Sequence, residues 1–122
     1  MVTERELPEK EEVLLVLCMH RSGSSVLAHG LESLGYSCGD NLLPPNAFNE
    51  KGYFEDAELV AINDAVLNAF GLTWWDAVYP HWKSNDLPDL SELHLRAVEC
   101  LQNRLTSHKR FVFKDPRTAV NL

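Results

Sequence analysis

The sequence predicts an α/β domain in which a parallel sheet is flanked by helices. Three features favour this class: a seven-residue apolar run at 13–19, a turn rich in serine directly after it, and helical spacing of the apolar residues that follow. A strand without polar alternation is typical of a parallel sheet that is covered on both faces. At 122 residues, with 45% hydrophobic and 24% charged residues, the chain has the size and composition of one small globular domain.

The first half of the chain predicts a strand, a tight loop, a helix and a long loop. The strand is assigned to residues 13–19, which are too few for a membrane span of about 20 residues. From Ser24 onward apolar residues recur at helical intervals, and Gly35 provides a natural end for this helix. Prolines, asparagines and a glycine then make residues 40–53 an irregular loop, a kind of segment that often carries function.

A second helix is predicted over residues 56–70, and Gly71 closes it. Its inward side combines apolar residues with one amide, at Leu59, Asn63, Val66, Leu67 and Phe70. The aromatic segment that follows either packs in the core or forms the wall of a substrate groove. Its members are Trp74, Trp75, Tyr79, Pro80, His81 and Trp82.

The last part of the chain predicts a third helix and a second strand. Asp89 is expected as the N-cap of the helix, with Glu92 as the third helical residue and Cys100 in the core. Residues 110–113 are prone to form a strand, which Pro116 ends. Because two strands and three helices do not close a doubly wound sheet, we expect an incomplete fold whose second strand leaves an exposed edge.

Composition excludes several classes of function. The net charge of −7 disfavours a general nucleic-acid binder and a basic membrane-surface protein. Residues 1–12 hold five glutamates, which predicts an acidic tail ahead of the domain at 13–122 and is the reverse of an export signal. The three cysteines show no C-x-x-C spacing and are expected to be reduced, so the chain is expected in the cytoplasm.

The turn at residues 18–25 has the chemistry of an anion site. It joins a buried strand to a helix N-terminus, where backbone N–H groups and the helix dipole attract negative charge. Gly23 allows the backbone to approach an oxyanion closely. The side chains that suit a phosphate or sulfate are Arg21, Ser22, Ser24 and Ser25. The alternative is a serine-rich turn that only caps the helix.

The same turn departs from the P-loop of nucleoside-triphosphate enzymes, G-x-x-x-x-G-K-[ST]. Gly23 and Ser25 match that pattern, but Cys18 stands at its first glycine and Ser24 at its lysine. The missing lysine disfavours an ordinary kinase or ATPase, whose transition state needs a cation at this place. An unusual P-loop phosphotransferase with magnesium-dependent nucleotide binding stays as a weaker alternative.

Three motifs resemble sulfotransferases that use 3′-phosphoadenosine 5′-phosphosulfate (PAPS). M-H-R-S-G-S-S at 19–25 is similar to their 5′-phosphosulfate-binding loop, G-x-x-[RK]-[ST]-G-[ST]-[ST], with Cys18 in place of the usual glycine. N-E-K-G-Y-F-E at 49–55 is similar to the N-x-x-G-[YFH]-x-E segment of bacterial-type members, and F-K-D-P-R at 113–117 to their K-D-P-R strand end. The resemblance implies the N-terminal part of a P-loop-like, three-layer sulfotransferase fold, which a second copy or a partner chain would complete.

The resemblance also implies a reaction and its participants. A sulfuryl group would pass from PAPS to an acceptor hydroxyl or amine of unknown identity, without a metal ion. Arg21 and the loop residues Ser22, Gly23, Ser24 and Ser25 would hold the 5′-phosphate. Lys114, at the carboxyl end of its strand, would reach the bridging oxygen.

Two further candidates have both a catalytic and a structural interpretation. Glu55 is the candidate general base, yet a glutamate at the start of a helix is also favoured by the helix dipole alone. Asp56 is expected to face solvent or to begin the helix. Arg117 would either bind the phosphates or acceptor or pair with Asp115 as a structural clamp.

For the whole chain, a non-catalytic remnant or interaction module is the alternative function.

Overall fold

In the residues that it describes, the computed structural model has two strands and three helices, which confirms the predicted α/β class. Strand β1 (Glu12–Val16) begins the described fold and strand β2 (Arg110–Lys114) ends it. Between them in the chain lie α1 (Ser24–Glu32), α2 (Ala57–Ala69) and α3 (Ser91–Ser107). The structure describes residues 10–19, 22–47, 52–74 and 88–118. In those ranges, no helix is both long enough and apolar enough to cross a lipid bilayer.

The two strands pair in parallel, and their register determines which loops meet. Glu12 is opposite Arg110 and Val16 is opposite Lys114. Both carboxyl ends therefore lie at one edge of the sheet, where parallel α/β folds place their ligand sites. The other side of β2 is occupied at Phe111 by Ser37, whose N–H donates to the Arg110 carbonyl at 2.8 Å and whose carbonyl accepts from Val112 N–H at 2.9 Å. Strand β2 is therefore interior.

Apolar side chains alternate along β2 and supply two separate core clusters, one on each face. The larger buries two aromatic rings of β2 against α2 and α3, with the members Leu59, Ile62, Cys100, Phe111 and Phe113. The other packs on α1, with the members Val16, Ala28, Cys38 and Val112. The expected core position of Cys100 is confirmed, and Cys18, Cys38 and Cys100 are free thiols.

Strand β1 differs from its prediction in length and in cover. It ends at Val16 instead of residue 19, and Val13 and Leu15 keep 39% and 45% of their surface exposed. The expectation of cover on both faces is wrong for β1, because α1 and α3 make their contacts with the sheet mainly to β2. The expected open edge exists within the described residues, but β1 carries it instead of the second strand.

The helices begin close to their predicted starts: Asp56 begins α2, as one of its two interpretations predicted, and the cap of α3 is corrected. Asp56 is the N-cap of α2, where its carboxylate accepts from the N–H groups of Glu58 and Leu59. It does not face solvent: it is buried and accepts from Nε of Arg104 at 2.6 Å. The N-cap of α3 is Leu90, one residue later than predicted, although the Asp89 carboxylate accepts from the Ser91 N–H.

Candidate functional site

The carboxyl ends of the two strands bring Lys114 to the turn that follows β1. Its ammonium group lies 3.2 Å from the hydroxyl oxygen of Ser25 and donates to the carbonyl of Tyr53 at 2.9 Å. The turn carries no lysine of its own at the position that a nucleotide P-loop would use. The structure thus brings a cation to this turn from the neighbouring strand.

Lys114 also forms a buried ion pair with Glu55. Its Nζ lies 2.9 Å from Oε1 of Glu55, and only 4% and 6% of the two side chains are exposed. Burial raises the pKa of Glu55, and this effect exceeds the lowering caused by the neighbouring ammonium of Lys114. A carboxylate with a raised pKa is a stronger base than one at the protein surface.

The backbone around Glu55 is held from both sides. Its carbonyl accepts from the N–H of Leu43 at 2.8 Å, and the next residue, Asp56, pairs with Leu42 in an antiparallel bridge. Just before it, Phe54 has a φ of 55°, a left-handed conformation that a bulky side chain rarely adopts. Such a conformation costs on the order of 1–3 kcal/mol and is frequent at functional sites. The contacts with Leu42 and Leu43 thus hold the backbone before Glu55 in a conformation that Phe54 would rarely adopt by itself.

Arg117 is the centre of a second group of charges beside Glu55. Its guanidinium donates to the carboxylate of Asp115 at 2.8 Å and to that of Asp64 at 2.5 Å. It lies 3.9 Å from Oε2 of Glu55 and 5.7 Å from the ring centre of Trp74. The contact between Arg117 and Asp115, which the clamp interpretation requires, is therefore present. The guanidinium of Arg117 also lies close to the carboxylate of Glu55.

Two polar residues of α2 belong to this site and were not proposed for it from the sequence. Asp64 binds Arg117, and Asn63 donates to the buried carboxylate of Asp115 at 2.9 Å. The sequence contained one signal for this contact, since Asn63 is the single amide in the apolar side of the predicted helix. Asp64 lies outside that stripe and gave no such signal.

The turn itself is open around Gly23. This residue is the N-cap of α1 with a φ of 82°, and a Cβ atom there would meet no atom of the described residues within 4 Å. Ser24 is buried, whereas Ser22 is exposed and donates its hydroxyl to the carbonyl of Met19 at 2.7 Å. Arg21, the charged candidate of this turn, lies outside the described residues, as do His20 and residues 49–51 of the second motif.

Two cavities lie near the ion pair. The first, of about 610 Å³, is lined by the turn after β1, including Gly23 and Ser24. The second, of about 370 Å³, is lined by Glu55 and Arg117 together with loop residues and Trp74. Glu55 lines the second cavity, and its partner Lys114 contacts Ser25, the residue that follows Ser24 of the first. Of the predicted aromatic wall only Trp74 is described, and residues 75–82 lie outside the described ranges.

Comparison with known proteins adds no assignment to this geometry. No family model, curated protein or solved structure matches the chain. Within the part of the chain that is described, no group of three or more His, Cys, Asp or Glu side chains could hold a metal ion.

Proposed function

We propose that this chain carries the donor-binding turn and the catalytic pair of a sulfotransferase that uses PAPS. The observation that carries the proposal is the buried ion pair of Lys114 and Glu55. The ammonium group of Lys114 also contacts Ser25 of the turn. A cation and a base meet here beside the turn, and in-line group transfer needs both, because charge is stabilised at one end and a proton is removed at the other.

The turn is suited to the 5′-phosphosulfate of the donor. Gly23 has no side chain to accept from the first N–H groups of α1, and its surroundings leave room for an anion. The adjoining cavity of about 610 Å³ lies within the size range of cofactor sites. Lys114 supplies a positive charge beside Ser25, and Arg21 belongs to the same turn in the sequence.

When bound, PAPS supplies a sulfuryl group on a phosphate leaving group. The Glu55 carboxylate then accepts the proton of the acceptor hydroxyl as the acceptor oxygen forms its bond to sulfur. The bond between sulfur and the phosphate oxygen breaks, and its electron pair stays on that oxygen. The Lys114 ammonium stabilises this growing negative charge. Burial raises the pKa of Glu55, which makes its carboxylate a stronger base than an exposed one.

Calorimetric titration with 3′-phosphoadenosine 5′-phosphate tests the donor site on the purified chain. The wild type should bind the bisphosphate without magnesium, and Arg21→Ala should weaken that binding. Arg96→Ala removes an exposed arginine of α3 and serves as the matched control, with unchanged binding expected. Binding of ATP only with magnesium would favour the phosphotransferase alternative. Absence of binding by a folded chain would favour the non-catalytic alternative.

A transfer assay with labelled PAPS tests the ion pair. The assay is run on a protein that contains the complete sulfotransferase domain. Glu55→Gln should lower kcat by about 10²-fold to 10⁴-fold and leave the affinity for the bisphosphate unchanged, because a base acts on the acceptor. Lys114→Ala should abolish transfer. Full activity of either variant would contradict the role assigned to that residue.

A further inference from the structure

The second cavity has walls of mixed character. Two aromatic rings, Tyr53 and Trp74, and two prolines, Pro44 and Pro45, give it flat apolar surfaces. Its volume of about 370 Å³ is near the lower end of the range for small-molecule sites. The buried carboxylate of Glu55 also lines it. This cavity therefore has room for one or two small rings placed against the candidate base.

Among the described residues, the charges around this cavity disfavour an anionic occupant. Three carboxylates, those of Glu55, Asp64 and Asp115, meet two cations, Lys114 and Arg117. Three carboxylates and two cations leave the group with one net negative charge, and both cations are already paired with these carboxylates. The net negative charge would repel an anionic occupant, and neither cation of this group is free to pair with it. A neutral acceptor meets no such penalty.

The polar side chains favour a molecule with several hydroxyl groups. Besides Glu55 and Arg117, the lining includes the amide of Asn46 and the phenol of Tyr53, whose hydroxyl donates to Asn46 at 2.9 Å. The Tyr53 oxygen keeps lone pairs that can accept a further hydrogen bond. Glu55, Arg117 and Tyr53 each have a partner in the protein already, so an occupant adds hydrogen bonds to the remaining lone pairs of Tyr53 and Glu55. A simple phenol offers one hydroxyl for these lone pairs, whereas a polyol ring offers several and can still lay its C–H face on Trp74.

We propose that the second cavity receives a neutral sugar ring as the acceptor, with one hydroxyl directed at the Glu55 carboxylate. This inference rests on the proposed function and names its acceptor class. In the transfer step, that sugar hydroxyl gives its proton to Glu55 and its oxygen forms the new bond to sulfur, while the bond from sulfur to the phosphate oxygen of PAPS breaks. The product is a sugar sulfate ester together with the bisphosphate.

Saturation-transfer NMR on the purified chain tests the cavity independently of catalysis. The probes are methyl β-glucopyranoside, methyl β-glucuronide and 4-methylphenol. The first two differ only in the replacement of a hydroxymethyl group by a carboxylate, so they isolate the effect of charge. We expect the neutral glycoside to bind, and the glucuronide and the phenol to bind more weakly. Galactose and N-acetylglucosamine methyl glycosides extend the neutral set.

Variants assign the binding to the cavity. Trp74→Ala should weaken glycoside binding about fivefold to tenfold, as expected for the loss of one aromatic contact. Tyr53→Phe should weaken it less, because the ring remains and one hydroxyl is lost. Tyr36→Phe is the matched control, since the Tyr36 hydroxyl contacts Glu12 away from the cavity, and should leave binding unchanged. Circular dichroism verifies the fold of each variant.

The outcomes separate this inference from the proposed function, because bisphosphate binding is measured on the same samples. If no neutral glycoside binds, or if the glucuronide or the phenol binds better, the acceptor inference is overturned even when the bisphosphate binds. Glycoside binding that Trp74→Ala leaves unchanged also overturns it. Cavity-dependent glycoside binding without bisphosphate binding supports a sugar site and contradicts the donor site.

Discussion

The two strands of this small sheet have opposite surroundings. Strand β2 is interior: its residues from Phe111 to Lys114 are buried, its edges meet β1 and Ser37, and both core clusters are built on it. Strand β1 is peripheral, because Val13 and Leu15 remain exposed and β2 is its only strand partner among the described residues. Strand β2 therefore organises the described fold, while β1 supplies the entry to the turn.

The same contrast holds for the site. At the end of β2, Lys114 and Asp115 are buried and their charges are paired, with Glu55 and Arg117 respectively. At the end of β1, the turn at Gly23 is open. One side of the site is thus already held by protein contacts, whereas the other side has space for a ligand.

The largest effect is expected from breaking the ion pair on the β2 side. Lys114→Met should lower the free energy of unfolding by about 3–5 kcal/mol at neutral pH, because it leaves the Glu55 carboxylate buried without its closest cation. Urea denaturation measures this loss. Lys109→Met is the control, since Lys109 pairs with Glu11 at the surface and should cost less than about 1 kcal/mol. Equal losses would mean that the two pairs do not differ as their burial indicates.

Truncation of apolar residues compares the strands directly. Val112→Ala on β2 should cost roughly 2 kcal/mol, because Val112 is 1% exposed and loses two buried methyl groups. Leu15→Ala on β1 should change stability by less than about 0.5 kcal/mol, because Leu15 is 45% exposed. Denaturation at two protein concentrations completes the comparison. A large, concentration-dependent loss for Leu15→Ala would show that another chain covers β1.

The pH dependence of stability tests the burial of Glu55. Its pKa is raised in the folded state above the ordinary value of 4.5, so the folded protein holds this proton more tightly than the unfolded chain does. The stabilisation is complete below pH 4.5 and is lost as the pH rises through the raised pKa. The stability difference between wild type and Glu55→Gln should therefore decline over this window, by at most about 1.4 kcal/mol per pH unit. A difference that grows with pH would indicate a lowered pKa.

Labelling of the cysteines shows which of the two core clusters unfolds locally first. Burial raises the pKa of both Cys38 and Cys100 to about 12, so neither should react with iodoacetamide at pH 8 in the native state. The half-buried Cys18 should be labelled first, as mass spectrometry can show. In low urea we expect Cys38, in the cluster beside α1, to react before Cys100, in the cluster between α2, α3 and β2. The reverse order would contradict the idea that the β1 side is the weaker one.

The sequence was sufficient to predict the elements and several members of the site, because both depend on local pattern. Ser25, Glu55 and Lys114 were named from separate motifs, and the parallel pairing of β1 with β2 brings Lys114 to Ser25. The partners Asp64 and Asn63 depend on the rotation of α2 about its axis, which a stripe of apolar residues defines only coarsely. The burial of Asp56 likewise depends on Arg104, which lies far away in the chain.

The cover of β1 could not be predicted for a related reason. A continuous apolar run indicates a strand that can be buried on both faces, but it does not say which neighbours will bury it. Here the contacts of α1 and α3 with the sheet fall mainly on β2, and Leu15 stays exposed. The choice is made by tertiary packing, which the pattern of one strand does not contain.

The bridge between Ser37 and Phe111 gives the sheet a direction of growth. Because this bridge already occupies the side of β2 away from β1, a further strand can join the described sheet at β1 alone. A strand added there in parallel would end beside the turn at Gly23, at the same edge as Val16 and Lys114. Whatever extends this sheet would therefore bring its own residues to the open side of the proposed anion site.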